Sequence, residues 1–242
     1  SNLSPTRSST RKESRVTTAS NDPFALIHQP SDALDRTGLT IVILMMDESA
    51  SMERYGDAPQ SALNGFLQSL RENPVADHTA AMLMTFSRNC RSDAGLRFVR
   101  ELPEIESYLP DDQTRLYASV RDVMRPLLAE LANGGRPLNR RVDVLLAVYT
   151  DGEDNLSTPG DRAELTELAS QARERGWQLL TFGYGVDAKR IANKMGFPHD
   201  ADHARTLIAD ECGIHHSMVI TLSRTVITAA GVPLPSSYPL IR

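Results

Sequence analysis

Long apolar runs alternate with amphipathic segments over most of this chain. Residues 39–46 are apolar except for Thr40, and residues 80–86 and 141–150 form two more runs that are mostly apolar. Runs of this length are typical of strands buried on both faces, as in the middle of a parallel sheet. Residues 177–182 predict a further strand, and residues 203–208 predict a last, weak one.

Helices are predicted between these strands, because apolar residues recur there at spacings of three and four. The predicted helices cover residues 58–72, 115–132, 161–175, 187–195 and 211–228. Residues 96–102 predict a short antiparallel edge strand, since the connection before them is too short for a crossover helix. The alternation predicts an α/β fold: a doubly wound, mostly parallel, Rossmann-like sheet with one antiparallel edge strand and helices on both faces.

The two ends of the chain differ in composition from its middle. Residues 1–22 are rich in Ser, Thr and Arg and poor in aliphatic residues, so they predict a disordered tail. Residues 23–38 gain apolar side chains and are expected to lead into a single domain over residues 39–228. Residues 229–242 contain Pro233, Pro235 and Pro239 and predict a C-terminal tail without regular structure.

Composition excludes some functions. The 242 residues carry a formal net charge of −5, which argues against a nucleic-acid-binding protein with a basic face. The two cysteines, Cys90 and Cys212, form no CxxC pair, which favours a reducing, cytoplasmic location. No stretch reaches the roughly 18 apolar residues of a membrane helix, and no leader resembles a signal peptide, so no membrane partner is expected.

Oxygen-bearing side chains follow the predicted strands at three places. Asp47, Ser49 and Ser51 alternate directly after the first strand, Thr114 opens a predicted helix, and Asp151 closes a central strand. If the two strands are neighbours, their loops open at one edge of the sheet, where α/β proteins bind ligands. Carboxylate and hydroxyl oxygens suit Mg²⁺. The alternative is that these side chains only cap helices and turns.

From about residue 39 to residue 226, the chain resembles a von Willebrand factor type A domain. Asp47-x-Ser49-x-Ser51, Thr114 in QTRLYASV and Asp151 in YTDGEDN resemble, in order and context, the three parts of the metal-ion-dependent adhesion site of that family. The resemblance implies a bound Mg²⁺, with Mn²⁺ or Ca²⁺ as alternatives. It implies Ser49 and Ser51 as direct ligands, with Thr114, Asp47 and Asp151 alternating between direct and water-mediated contact.

The resemblance also implies a function. In this family an acidic side chain of a protein partner completes the coordination of the metal, so the chain is expected to be a Mg²⁺-dependent protein-binding module without catalytic activity. Stand-alone intracellular bacterial members often serve as adaptors for an ATPase, a kinase or a phosphatase. Two departures are mild: Ala50 replaces a frequent glycine, and Glu48 and Glu153 add acids that could alter the choice of metal.

Two other functions remain open from the sequence. A metal-dependent enzyme acting on phosphate esters could also begin with a strand that ends in Asp, but the haloacid dehalogenase pattern needs a second Asp where Ser49 stands. The GxxxxGK[ST] and G-x-S-x-G motifs of nucleotide and serine hydrolases are absent from the sequence. A zinc site is the second alternative. Its candidate ligands are His199, His203, Cys212, His215 and His216.

Overall fold

The computed structural model describes residues 24–28, 38–92, 94–111, 113–132, 142–152, 154–207 and 226. The strands within these ranges are β1 (Leu39–Asp47), β2 (Thr79–Phe86), β3 (Cys90–Arg91), β4 (Arg97–Phe98), β5 (Val142–Thr150), β6 (Gln178–Tyr184) and β7 (Ala204–Leu207). The α-helices are α1 (Ala58–Arg71), α2 (Leu116–Ala132), α3 (Pro159–Glu174) and α4 (Ala188–Met195). Short 3₁₀ helices cover Ala25–His28, Ala50–Tyr55 and Pro74–His78.

The strands form one sheet in the order β3-β2-β1-β5-β6-β7, and β4 also pairs with β2. Neighbours among β1, β2, β5, β6 and β7 run parallel. The strand order reverses at β1, which has β2 on one side and β5 on the other. This arrangement confirms the predicted α/β fold with a mostly parallel sheet and places the topological switch point, where α/β proteins bind ligands, at the carboxyl ends of β1 and β5.

The antiparallel part of the sheet consists of two short strands, β3 and β4, where the sequence predicted one. The strand predicted over residues 96–102 is reduced to β4, because the chain turns directly after it: the Glu101 and Leu102 amides both donate to the Phe98 carbonyl. The segment predicted as a plain connection contains β3, which pairs with the end of β2 at Thr85 and Phe86. Two short segments therefore cover the outer edge of β2.

The core consists of two layers, one on each face of the sheet. Alternate residues of β1, including Ile41 and Ile43, pack on one face against α2, α3 and α4. The intervening residues, including Val42 and Leu44, pack on the other face against α1. Burial on both faces explains why β1 is continuously apolar rather than alternating. The predicted helix over residues 211–228 lies outside the described residues except for Val226, which is helical and buried in the α1 layer.

The start of α4 crosses very close to β6. A Cβ added to Gly183 would lie 2.7 Å from the Val186 carbonyl oxygen and 3.1 Å from the Ala188 nitrogen. Both neighbours are backbone atoms, which cannot rotate away as a flexible side chain can. Glycine at this position is therefore a packing requirement of the β6–α4 connection. Across the part of the chain that the structure describes, no helix has the length and apolar character needed to cross a membrane.

Candidate metal centre

The three predicted loops lie at one edge of the sheet. β1 and β5 are parallel neighbours, with Met46 opposite Tyr149, so the following residues, Asp47 and Thr150, are also adjacent. The Thr150 hydroxyl donates to Asp47 Oδ2 at 2.6 Å. The loops that contain Asp47 and Asp151 therefore begin side by side at the switch point of the sheet, as the sequence predicted.

Asp47 is fully buried, and its carboxylate is fixed by neighbouring groups. Oδ1 accepts a hydrogen bond from the Ser49 amide at 2.9 Å, and Oδ2 accepts the one from Thr150. The pKa of Asp47 is raised to about 7, chiefly by burial; the hydrogen bonds from Ser49 and Thr150 oppose this shift, and the nearby charge of Asp151 adds a smaller rise. A nearby cation would favour the ionised form.

The raised pKa of Asp47 predicts how the stability of the metal-free domain depends on pH. An unfolded aspartate titrates near pH 3.9, so between about pH 4 and pH 7 the folded state binds the extra proton. The stabilising contribution of Asp47 to the folded state is therefore fully present below about pH 4. It falls as the pH rises and is lost once the pH has passed through 7. Asp47→Asn removes the titration. We expect its free energy of unfolding to rise relative to wild type by on the order of 1 kcal/mol per pH unit across that window.

Urea unfolding of both proteins in chelator, from pH 5 to pH 8, measures this difference. A difference between Asp47→Asn and wild type that does not change with pH would contradict the pKa shift.

The two serines lie close together on the loop after β1. Ser49 Oγ and Ser51 Oγ are 3.1 Å apart, and Ser49 is buried whereas Ser51 is partly exposed. The 3₁₀ helix Ala50–Tyr55 begins between them, with the Met52 amide donating to the Ser49 carbonyl. The pair thus presents two hydroxyl oxygens from a short, backbone-bonded turn.

Asp151 follows β5, and its side chain is completely buried. Its Oδ2 accepts a hydrogen bond from Arg54 Nη2 at 3.1 Å, while Oδ1 is buried and has no hydrogen-bond partner among the described residues. A buried carboxylate oxygen without a partner carries a desolvation cost. A cation at this position would remove that cost.

Thr114 is buried, and its backbone is bonded to the loop after β5. Its amide donates to Asn155 Oδ1 at 2.9 Å, and its carbonyl accepts from the amides of Asn155 and Leu156, each at 3.2 Å. The same loop caps α2, because Asp154 Oδ2 accepts from the Tyr117 amide at 2.8 Å. Thr114 is thereby tied to the loop that begins with Asp151.

Glu48 forms an ion pair with Arg91 rather than adding an acid to the site. Its side chain is 7 % exposed, and its Oε2 lies 2.9 Å from Arg91 Nη2. Its Oε1 also accepts from the Leu109 amide at 3.1 Å, and its carbonyl accepts from the Asp111 amide. Glu48 thus fixes the segment that precedes Thr114. The other additional acid of the sequence analysis, Glu153, lies outside the described residues.

Three of the five predicted residues are in direct contact: the Ser49 side chain hydrogen-bonds to Asp47, and its hydroxyl lies 3.1 Å from that of Ser51. The charge of Asp151 acts on Asp47, and the Thr114 backbone is bonded to the loop that follows Asp151. Sequence reasoning missed the residues that connect the rest. Arg54 pairs with Asp151, Asn155 binds the Thr114 backbone, and the Tyr108 hydroxyl donates to the Asp47 carbonyl at 2.6 Å. The Asp-Asn pair at 154–155 carried a local signal, because such residues cap helices. The helix that Asp154 caps is α2, which is distant in the sequence, so the sequence did not indicate this contact.

The zinc alternative has little support in the described residues. Of its five candidates, His199 and His203 are described, and His203 Nδ1 lies 2.8 Å from Asp200 Oδ1. Cys212, His215 and His216 lie outside the described residues. Across the described part of the chain, no group of three or more His, Cys, Asp or Glu side chains is arranged to bind a metal.

Solved structures with a similar fold include a pilus adhesin and a metal-loaded protein. SpaC, a pilus adhesin from Lactobacillus rhamnosus GG in its open conformation, aligns with a TM-score of 0.57 at 12% identity over 79% of this chain, which spans 30% of the SpaC chain. The manganese-loaded TRAP protein of Plasmodium vivax aligns with a TM-score of 0.56 at 16% identity, covering 78% of this chain and 74% of TRAP. At such identities the likeness shows the fold alone.

A structure of about the size of one domain also has a similar fold. The vWF domain of the type V pili tip protein Mfa5 from Porphyromonas gingivalis aligns with a TM-score of 0.55 at 12% identity, covering 83% of this chain and 98% of that domain. No curated protein sequence matches the chain at a significant level. The family profile of the von Willebrand factor type A domain matches residues 41–212, which is more than half of the chain. The chain therefore belongs to the von Willebrand factor type A domain family.

Proposed function

We propose that this domain is a Mg²⁺-dependent protein-binding module, and that Asp47, Ser49, Ser51, Thr114 and Asp151 hold the metal. The buried Asp151 carboxylate, with one oxygen unpartnered among the described residues, is the observation that carries the proposal. It lies in a cluster with a second buried carboxylate and a pair of hydroxyls 3.1 Å apart. Such a set of hard oxygens fits Mg²⁺ or Mn²⁺ better than softer metals.

The composition of the cluster favours a metal with an open position. Two carboxylates and three hydroxyls supply at most five of the six oxygen positions of an octahedral Mg²⁺ when each gives one oxygen, so a carboxylate from a partner would complete its shell favourably. The residues of this chain supply the rest of the interaction. Thr150 and Ser49 fix the Asp47 carboxylate, and Asn155 fixes Thr114, so the ligands are oriented before a partner arrives.

An exposed apolar side chain beside the cluster supports a protein partner. Leu109 is 72% exposed, and among the described residues it is the exposed large hydrophobic one. Its amide donates to Glu48 Oε1, so its backbone is fixed next to the loop that contains Asp47. A rigid apolar anchor at the rim of a charged centre is typical of a protein-binding surface.

We propose a non-enzymatic role for this site, and the pilus adhesin SpaC shares its fold. The finer assignments come from the sequence. We propose an adaptor in the cytoplasm whose partner contributes a Glu or Asp carboxylate, with an ATPase, kinase or phosphatase as the candidate class. Neither nucleic acid nor membrane is expected as a partner, since the net charge is −5.

Affinity capture from lysate tests the proposal with three baits: wild type, Asp47→Ala and Leu109→Ser. Wild type is expected to retain a specific protein in Mg²⁺ and to release it in chelator. Asp47→Ala should lose this protein because the metal is lost. Leu109→Ser should weaken capture severalfold while its Mg²⁺ affinity stays at the wild-type value. Capture that is equal in Mg²⁺ and in chelator would contradict the proposed function.

A further inference from the structure

We propose that Arg54 is a resident counterion of the metal centre: its guanidinium neutralises Asp151 in the absence of metal and opposes the binding of a divalent ion to the same carboxylate. The inference rests on the proposed function, and it assigns to Arg54 the control of metal affinity and of charge selectivity. The contact behind it is the 3.1 Å ion pair between Arg54 Nη2 and Asp151 Oδ2.

Asp151 needs a positive partner. Its side chain is 0% exposed, so its charge is removed from water and would be costly without compensation. Arg54 compensates it at one oxygen only, since Oδ1 has no hydrogen-bond partner among the described residues. A guanidinium can bind a carboxylate through both oxygens when the geometry allows it. The single contact leaves this carboxylate half satisfied, as expected for a substitute partner.

Arg54 is positioned for this contact by its own helix. It lies three residues after Ser51 on the 3₁₀ helix Ala50–Tyr55, and side chains at this spacing eclipse one another in a 3₁₀ helix. Its guanidinium also lies 4.9 Å from the centre of the Tyr55 ring, and the Tyr55 hydroxyl donates to the Tyr184 carbonyl at 2.8 Å. Arg54 is therefore beside a proposed metal ligand and supported by a fixed aromatic ring.

The guanidinium and a divalent ion compete for this carboxylate, because Arg54 holds Oδ2 while an ion would bind Oδ1 beside it. Two positive groups within a few ångströms repel each other, and the repulsion is strong where water is excluded. Arg54 can leave at low cost, because its side chain is 58% exposed and regains its hydration. When a divalent ion takes the place of the guanidinium, two positive charges at Asp151 replace one, whereas a monovalent ion would bring no gain in charge. Arg54 therefore favours divalent over monovalent cations at the centre.

The test compares Arg54→Gln with a matched variant, Arg100→Gln. Arg100 is 51% exposed and its Nε lies 2.6 Å from Asp77 Oδ1, so the control removes the same charge from an ion pair without touching Asp151 or its neighbours. Calorimetric titration with Mg²⁺ is expected to give an affinity at least fivefold tighter for Arg54→Gln than for wild type. Arg100→Gln should remain within about twofold of wild type, because it changes only the long-range field.

Folding is followed in the same samples by the melting temperature. In chelator, Arg54→Gln should melt below wild type, because Asp151 loses its charged partner, and saturating Mg²⁺ should raise its melting temperature by more than that of wild type.

An unchanged or weaker Mg²⁺ affinity in Arg54→Gln overturns the proposal, and so does an equal gain in both variants. If wild type binds Mg²⁺ and Arg54→Gln binds it equally, only this inference fails. If wild type binds no Mg²⁺, the proposed function fails with it.

Discussion

Alanine in place of Asp47 or of Asp151 is expected to weaken Mg²⁺ binding by at least tenfold, equivalent to about 1.4 kcal/mol or more. Each change removes one of the two buried carboxylates from the cluster at the ends of β1 and β5. Neither variant should unfold, because removal of one charge also removes the repulsion that helps to raise the pKa of Asp47. The rise in melting temperature on addition of Mg²⁺ measures the effect through linkage.

Asp200→Ala is the control for this pair. Asp200 precedes β7 and lies at the opposite edge of the sheet from the carboxyl ends of the strands, where its carboxylate pairs with His203. Its removal changes the net charge by the same amount but should leave the Mg²⁺ response at the wild-type level. A metal response in Asp47→Ala and Asp151→Ala equal to that of Asp200→Ala would show that the two buried carboxylates bind no metal.

Gly183→Ala is expected to destabilise the domain by about 1–3 kcal/mol, the usual cost of overpacking a core. The added methyl group would lie 2.7 Å from the Val186 carbonyl oxygen and 3.1 Å from the Ala188 nitrogen. Relief of this clash requires the start of α4 to move away from β6. The free energy of unfolding in urea measures the cost.

Gly160→Ala provides the matched control. Gly160 lies in the first turn of α3, and the nearest atom to an added Cβ is Thr158 Oγ1 at 3.6 Å, an ordinary contact. Alanine at this position should be neutral or slightly stabilising, because it has the higher helix propensity. Equal stability of the two variants would mean that the β6–α4 connection is more open than the structure shows.

The central strands could be predicted from the sequence because burial on both faces leaves a strong signal. β1 and β5 are almost continuously apolar, and each extends within one or two residues of its predicted range. β3 could not be predicted in this way. It has two residues, and its pairing with Thr85 and Phe86 depends on a turn rather than on hydrophobic periodicity. The 3₁₀ helix Ala50–Tyr55 likewise has no apolar stripe of its own that would distinguish it from a loop.

The candidate ligands could be predicted because each follows a strand or opens a helix in the local sequence. The residues that hold these ligands in place could not be predicted, since they reach the ligands from segments that are distant in the sequence. Arg54 and Asp151 are 97 residues apart, and the Tyr108 hydroxyl reaches the Asp47 carbonyl across 61 residues. Glu48 shows the same limit: its position next to Asp47 suggested an added acid that alters the choice of metal, but its carboxylate pairs with Arg91, 43 residues away.

Calorimetric titration of Mg²⁺ into wild type and into the Ser49→Ala/Ser51→Ala double variant tests the central claim most directly. The two hydroxyls lie 3.1 Å apart and carry no charge, so the double variant removes proposed ligands without changing the net charge. We expect saturable binding of one Mg²⁺ per wild-type chain, and an affinity at least tenfold weaker in the double variant. An absence of saturable binding to wild type, or identical titrations of the two proteins, would contradict the account.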